Sequence, residues 1–202
     1  MSTTLATPRP EDLPAVVATL ATWQRDGQPV QLHPGDLGWA WQIGAPALAL
    51  RVRTWHDGGG SLAVVGFLDG DGLVRLGLDP DRGDDEALAS AVADDLVDPD
   101  RGLLPDGEAA VEARLGAALH ARLVAHGWVD DEPWTPLVQD LAASDVGGAP
   151  DALHVEVVGP ALVDECVAVH TSGFESSRFT AERWRTAAAG PAFADARCLL
   201  AR

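Results

Sequence analysis

The stretch Val74–Leu96, VRLGLDPDRGDDEALASAVADDL, determines how the rest of the chain is interpreted. The apolar run Leu73–Leu78 predicts a buried strand, and a Pro-Asp-Arg-Gly turn follows it. Apolar residues at helical spacing then predict a helix, namely Ala87, Leu88, Ala91, Val92 and Leu96. A strand that enters a helix through such a turn offers free backbone N–H groups and the positive end of the helix dipole to an anion. The stretch therefore predicts a phosphate-binding turn.

The same turn carries Asp84, Asp85 and Glu86. One charge pair at 4 Å is worth about 4 kcal/mol at an effective dielectric constant of about 20, before salt and exposure reduce it. The helix dipole contributes only about 0.3–1 kcal/mol. Acids in a first helical turn are also ordinary stabilisers of a helix N-terminus. Two interpretations stay open: the acids replace the anion, or they turn outward from a working site.

The composition excludes several kinds of chemistry. The 202 residues carry a net charge of −17, so we expect no nucleic-acid partner and no binding to anionic membranes. All fourteen basic residues are arginines, which excludes a P-loop lysine and a Schiff-base lysine. Because no tyrosine is present, no phenol can act as a general acid. The acidity favours cationic small molecules or basic partners, or else it serves solubility alone.

The cysteines and the N-terminus bear on the compartment. Cys166 and Cys198 are single and far apart in sequence, so they predict neither a zinc site nor a disulfide framework, and no metal is expected. Neither has an activating partner nearby in sequence, which indicates small core residues. The N-terminus lacks the basic and apolar regions of a signal peptide, and no apolar run reaches membrane-spanning length. These features predict a cytoplasmic protein.

Outward from the opening stretch, the chain alternates strands and helices. Alternating apolar residues predict strands, and apolar residues three and four apart predict helices. On the N-terminal side we expect a strand at Thr4–Ala6, a helix to about Gln24, an irregular stretch Arg25–Pro46, and a hairpin of Leu48–Trp55 with Ser61–Leu68. On the C-terminal side we expect a strand at Glu108–Ala113, a helix that stops at Gly127 and a strand at Trp134–Leu141.

The last part of the chain resembles its beginning. Leu153–Phe174 follows the plan of Thr4–Gln24, which is a strand, a proline and then a helix. A helix at Thr180–Ala189 and a strand from Arg197 to the end follow. Segment 144–152 is a linker by composition. We therefore predict a first unit over residues 1–143 and the incomplete start of a second unit over residues 153–202.

The final strand has no hairpin partner in the sequence. An edge strand of this kind exposes unpaired backbone groups, which proteins avoid. One interpretation is a homodimer that pairs through this strand. The others are that another part of this chain covers the strand, that the chain is a fragment of a longer tandem protein, and that its end is a terminal appendage that packs on the first unit.

The order of these elements resembles the GNAT N-acetyltransferase fold. The residues that carry the resemblance are Val74–Leu96, ARLVAHGW at 121–128 followed by WTPLVQDL at 134–141, and LHPGDLGW at 32–39. The resemblance covers Thr3 to about Ala142, and more loosely Leu153 onward, and is to the N-terminal domain of a tandem-GNAT protein. It implies a mixed α/β fold in which helices flank a central, mostly antiparallel twisted sheet, with a partial second GNAT-like unit.

In that family the turn between strand and helix holds the pyrophosphate of acetyl-CoA. By resemblance, the cofactor-binding residues are Leu78, Arg82, Gly83, Asp85 and Ala87. Asp85 stands where the family has glycine, and a side chain there restricts positive φ and crowds the ligand. The resemblance also implies that the strand at Leu73 and the strand at Glu108 splay apart to admit the cofactor.

The resemblance places the loop that shapes the acceptor pocket at LHPGDLGW. The candidate substrate-binding residues are His33, Asp36, Trp39 and Trp41, because tryptophan faces and a carboxylate can hold a cationic amine. The alternative is a Pro-Gly turn in which His33 and Asp36 bond their own backbone while the tryptophans cover the edge of the core.

Two functions stay open. The resemblance implies an acyltransferase that moves acetyl from acetyl-CoA to an amine of a small, cationic substrate, although the sequence identifies no general base or acid. The alternative is a catalytically inactive GNAT-like domain with a degenerate CoA site, which binds a small molecule or supports the second unit. Because of the acids in the turn, we expect weak acetyl-CoA binding or none.

Overall fold

A computed structural model describes residues 3–70, 72–132, 135, 137, 139, 153–174 and 177–202. These residues form a mixed α/β structure around a five-stranded sheet. Its strands are β1 Thr4–Ala6, β2 Val52–His56, β3 Leu62–Leu68, β4 Leu73–Leu78 and β5 Ala110–Glu112. The strands lie side by side in chain order. The first four pair antiparallel, and β5 pairs parallel with β4, so the sheet is mostly antiparallel, as predicted.

Helices cover both faces of this sheet. They are α1 Leu13–Trp23, α2 Pro34–Ala40, α3 Ala45–Ala49, α4 Glu86–Val97 and α5 Ala117–Ala125. Successive residues of β3 point to opposite faces. Val65 and Phe67 pack with α1, α2 and α3, whereas Val64 packs with α4 and α5. The alternation in β3 therefore builds two apolar layers with the sheet between them.

The C-terminal segment, Leu153–Arg202, forms a separate strand pair with two helices. Its elements are β6 Val155–Val157, α6 Val163–Gly173, α7 Ala181–Ala188 and β7 Leu199–Ala201. The last strand has no hairpin partner, but another part of the chain covers one of its edges, because β7 pairs antiparallel with the distant β6. The sequence gives no turn between these strands, since 41 residues that include both helices separate Val157 from Leu199.

The beginning of the chain and the C-terminal segment share a local plan. A three-residue strand, a one-turn 3₁₀ helix that begins with proline, and an eleven-residue helix follow one another in both. The 3₁₀ helices are Pro10–Asp12 and Pro160–Leu162. Proline suits the first position of a helix because its missing N–H has no intrahelical acceptor there.

Some predicted boundaries need correction. The stretch Arg25–Pro46, predicted to be irregular, contains α2 and the start of α3. Because Leu48 and Ala49 belong to α3, β2 starts at Val52 rather than at Leu48. The predicted strand at Trp134–Leu141 and the linker at 144–152 lie outside the described residues, apart from positions 135, 137 and 139.

Membrane insertion through a helix finds no support in the described ranges, where every helix is too short or too polar to cross a bilayer. The longest helix, α4, has twelve residues, and a span needs about twenty.

Candidate functional site

The predicted cofactor cleft would lie beside β4, beyond the point where its pairing with β5 ends. Leu73–Arg75 pair with Ala110–Glu112, after which β4 continues to Leu78 while β5 ends. In the described residues, Leu76–Leu78 therefore have no strand neighbour on the β5 side. Backbone groups on such an edge can bind an extended ligand in the manner of an added strand.

Gln31 occupies this edge of β4. Its side-chain Nε2 donates to the backbone oxygen of Leu78 at 2.8 Å, and the Leu78 N–H donates to Gln31 Oε1 at 2.7 Å. The Leu32 N–H donates to the oxygen of Leu76 at 3.2 Å. Gln31 is only 2% exposed. One buried amide therefore satisfies both backbone groups of Leu78, as a neighbouring strand would.

The segment around Gln31 also contacts the chain beyond β5. Arg114 Nη1 donates to the backbone oxygen of Val30 at 3.1 Å. Because Val30 contacts the chain after β5 while Gln31 and Leu32 contact β4, this segment bridges the gap between the two strands. Its sequence position, between α1 and α2, gave no sign of this placement.

The turn after β4 has its helix N-terminus already capped. The Asp85 carboxylate accepts hydrogen bonds from the N–H groups of Ala87 at 3.1 Å and Leu88 at 3.0 Å. These are donors that a phosphate would need. Asp85 has φ −76° and ψ 96°, an extended conformation that is open to any residue, so the turn here does not require the positive φ that glycine favours.

Arg82 is held by carboxylates of its own chain. Its guanidinium forms an ion pair with Asp57 in the β2–β3 turn, and Asp79 lies 3.8 Å away. Asp57 also accepts hydrogen bonds from the N–H groups of Gly59 and Ser61, each at 2.9 Å. The Ser61 N–H and the Arg82 guanidinium hold the pKa of Asp57 below its usual range. The positive charge of Arg82 is thus already compensated.

The turn packs closely on the core beneath it. Leu78, Arg82, Gly83 and Asp85 line a void there together with core side chains, and it measures about 10 Å³, roughly one water molecule. Gly116, at the start of α5, also packs closely: a side chain there would come within 2.8 Å of Leu78 Cδ2. Of the remaining acids, Glu86 pairs with Arg122 of α5 at 2.9 Å, and Asp84 is exposed.

Two of the predicted acceptor residues cap α2. His33 Nδ1 accepts from the Gly35 N–H at 3.0 Å, and Asp36 Oδ2 accepts from the His33 N–H at 2.8 Å. The other Asp36 oxygen accepts from Arg75 at 2.9 Å. This arrangement follows the alternative interpretation, in which His33 and Asp36 bond their own backbone, and it leaves neither Asp36 oxygen unpaired.

The two predicted tryptophans lie in different surroundings. Trp41 is 9% exposed and belongs to the core formed with α1 and β2. Trp39 is 51% exposed and faces the C-terminal segment, where its ring lies 4.9 Å from that of Phe179 and 5.4 Å from that of His170. The four candidate residues therefore do not converge on one pocket.

Trp39 lines an apolar cavity of about 270 Å³ between α2 and the C-terminal segment. The other side chains that define its character are His170, Phe179, Trp184 and Phe193, together with both cysteines. No sequence pattern predicts this cavity, because its walls come from α2 and from the distant C-terminal segment.

Known proteins offer no assignment for this geometry. Comparison found no matching family model, no matching curated protein and no matching solved structure.

Proposed function

We propose that residues 1–143 form a GNAT-like domain that does not bind acetyl-CoA and instead supports the C-terminal segment, which we interpret as a partial second GNAT-like unit. One observation carries the proposal: the chain's own side chains occupy the backbone groups that a cofactor would need. Asp85 binds the N–H groups of Ala87 and Leu88, and Gln31 binds both backbone groups of Leu78.

The energetic consequence is a loss of affinity. A ligand that enters this site exchanges existing hydrogen bonds for its own rather than adding new ones. With about 1 kcal/mol net for each hydrogen bond, forgoing the four bonds at Ala87, Leu88 and Leu78 costs about 4 kcal/mol. This corresponds to roughly a thousandfold in Kd. A diphosphate would also meet the displaced carboxylate of Asp85.

A supporting role fits the contacts of the first unit. Gly190 lies so close to Trp41 that a side chain at Gly190 would come within 2.7 Å of Trp41 Cγ. Gly38 of α2 approaches Ala192 in the same way, at 2.8 Å. Helix α7 also packs against the 3₁₀ turn Trp41–Ile43. Residues that the acetyltransferase hypothesis assigns to the acceptor pocket thus contact the C-terminal segment.

The second candidate function is an acyltransferase that moves acetyl from acetyl-CoA to a small, cationic amine. The end of the pairing between β4 and β5 at Arg75 favours it, because it leaves the rest of β4 without β5 beside it. This function requires Gln31 and Asp85 to leave their hydrogen bonds when the cofactor binds.

Calorimetry on the whole chain distinguishes the two functions. We expect no heat of binding at acetyl-CoA concentrations up to about 1 mM. A Kd of about 1 mM corresponds to a binding free energy of about −4 kcal/mol. We expect Asp85→Gly to gain binding if the carboxylate is the obstacle, with the exposed Asp84→Gly as the matched control. Micromolar binding by the unchanged protein that Arg82→Glu abolishes would contradict the proposal and favour the acyltransferase.

A further inference from the structure

The C-terminal segment brings its two thiols into contact. Cys166 Sγ and Cys198 Sγ lie 3.7 Å apart, although 32 positions separate the residues in the chain. A disulfide has an S–S distance of about 2.05 Å, so the sulfur atoms need to approach by only about 1.7 Å. Rotation of two side chains about their Cα–Cβ bonds moves sulfur atoms over distances of this size.

Regular structure holds both cysteine backbones. Cys166 is the fourth residue of α6, and Cys198 directly precedes β7. The oxygen of Cys198 accepts from the Val158 N–H at 2.8 Å, which extends the ladder between β6 and β7. The thiols therefore meet because two secondary-structure elements place them together, and each thiol has a high effective concentration at the other.

Small oxidants can reach the pair. Both cysteines are partly exposed and line the cavity of about 270 Å³ that also contains His170 and Phe179. Burial, followed by hydrogen bonding to Cys198, raises the pKa of the Cys166 thiol to about 11. This thiol is therefore mainly protonated at neutral pH, so its attack as a thiolate is slow.

We infer that Cys166 and Cys198 form a reversible intramolecular disulfide that ties α6 to β7. The inference is independent of the proposed function. With a small disulfide such as oxidised glutathione, the thiolate of one cysteine attacks it and releases one glutathione thiol. The second cysteine thiolate then attacks the mixed disulfide and releases the other. The cysteine pair loses two protons and two electrons, and the glutathione disulfide is reduced to two thiols.

A metal centre is the competing use of paired thiols. The described ranges contain no group of three or more His, Cys, Asp and Glu side chains placed to bind one ion. Structural zinc sites use four protein ligands. The contact is therefore better suited to a covalent bond between the sulfurs.

Tryptic mapping tests the bond directly. The full chain is reduced, desalted, incubated with oxidised glutathione, alkylated and digested without reduction. Since lysine is absent, cleavage after arginine places the cysteines in the peptides Leu123–Arg178 and Cys198–Arg202. We expect these peptides to be joined, with a mass two hydrogen atoms below their sum. Closing this loop should raise Tm by roughly 5–10 °C, and dithiothreitol should reverse the increase.

Single variants supply the controls. Cys166→Ala and Cys198→Ala should each take up one glutathione at the remaining thiol and show no such increase in Tm. The same oxidation of the unchanged chain in denaturant should give glutathione adducts in place of the internal bond. Glutathione on both cysteines of the folded chain, a dimer joined through two Cys198–Arg202 peptides, or unreacted thiols would each overturn the inference. These readings on the unchanged chain hold even if an alanine variant fails to fold.

Discussion

At the scale of single residues, Asp57 links the β2–β3 turn to the turn after β4. It accepts two backbone hydrogen bonds within its own turn and pairs with Arg82. Arg82 carries the one positive charge in the predicted phosphate turn. Because Asp57 neutralises this charge, the turn attracts an anion less strongly. The carboxylate of Asp57 thus takes the place next to Arg82 that the sequence analysis predicted for a phosphate.

The contacts of Asp57 also determine a pH effect. Its folded-state pKa lies below the ordinary value of 3.8, chiefly because of the Ser61 N–H and then the Arg82 guanidinium. The ionised carboxylate therefore stabilises the fold above pH 3.8, and this stabilisation is lost as the pH falls through the lower, folded-state pKa. We expect Asp57→Asn to be less stable than the unchanged protein near neutral pH and to differ less from it in acid.

Urea unfolding at a series of pH values measures that difference. Asp84→Asn, a change of the same kind at an exposed carboxylate in the next turn, is the control and should stay within about 0.5 kcal/mol throughout. If the free energies of unfolding of Asp57→Asn and the unchanged protein differ by the same amount at neutral and acid pH, the carboxylate charge does not cause the difference.

At the scale of elements, the segment between α1 and α2 substitutes for a strand. Leu32 supplies one backbone hydrogen bond to β4, and the Gln31 amide supplies two more. A side-chain amide carries the same donor and acceptor as a peptide group. Backbone groups on the edge of β4 beyond Arg75 are therefore hydrogen-bonded even though β5 does not extend that far.

We expect Gln31→Ala to destabilise the protein by about 2 kcal/mol. The change leaves the N–H and C=O of Leu78 without their partner at a site where Gln31 is buried, and an unsatisfied buried group costs about 1–3 kcal/mol. Chemical denaturation measures the loss. Gln28→Ala removes the same side chain from an exposed position in the same loop and should be nearly neutral. Equal stability of the two variants would contradict the strand-substitute interpretation.

Sequence patterns predicted β3, β4 and α4 with nearly their observed bounds, because apolar residues are regularly spaced along the whole of each element. They missed α2, whose Pro34, Gly35 and Gly38 disfavour a helix by propensity. The helix forms because proline is tolerated in its first turn and the side chains of His33 and Asp36 cap it. Gln31 was missed for another reason: a single polar residue in a loop carries no periodic signal, and its partner Leu78 is 47 positions away.

At the scale of the whole molecule, small residues allow the C-terminal segment to approach the first unit. The acetyltransferase hypothesis assigned Trp41 to an acceptor pocket, whereas its ring lies against Gly190. The cysteine pair shows the same limit of sequence reasoning, since these two residues are far apart in the chain and are brought together by the folded C-terminal segment. Contacts of this kind follow from tertiary packing, which no local pattern encodes.

The contact between Gly190 and Trp41 gives a test with a closely matched control. Gly190 has φ −78° and ψ 155°, which alanine can adopt, but an added Cβ would lie 2.7–3.0 Å from three atoms of the buried indole ring. Gly159 also precedes a proline-led 3₁₀ turn in an extended conformation, and its added Cβ would meet nothing within 4 Å. We expect the free energy of unfolding of Gly190→Ala to fall by roughly 1–3 kcal/mol through overpacking. We expect Gly159→Ala to be neutral or about 0.4–1 kcal/mol more stable.

Urea denaturation followed by tryptophan fluorescence measures the stability of both glycine variants. Faster tryptic cleavage at Arg183 and Arg185 in Gly190→Ala alone would report loosening of the C-terminal segment. If both variants unfold alike and resist trypsin alike, the segment does not depend on this contact, and the supporting role of the first unit loses its structural basis.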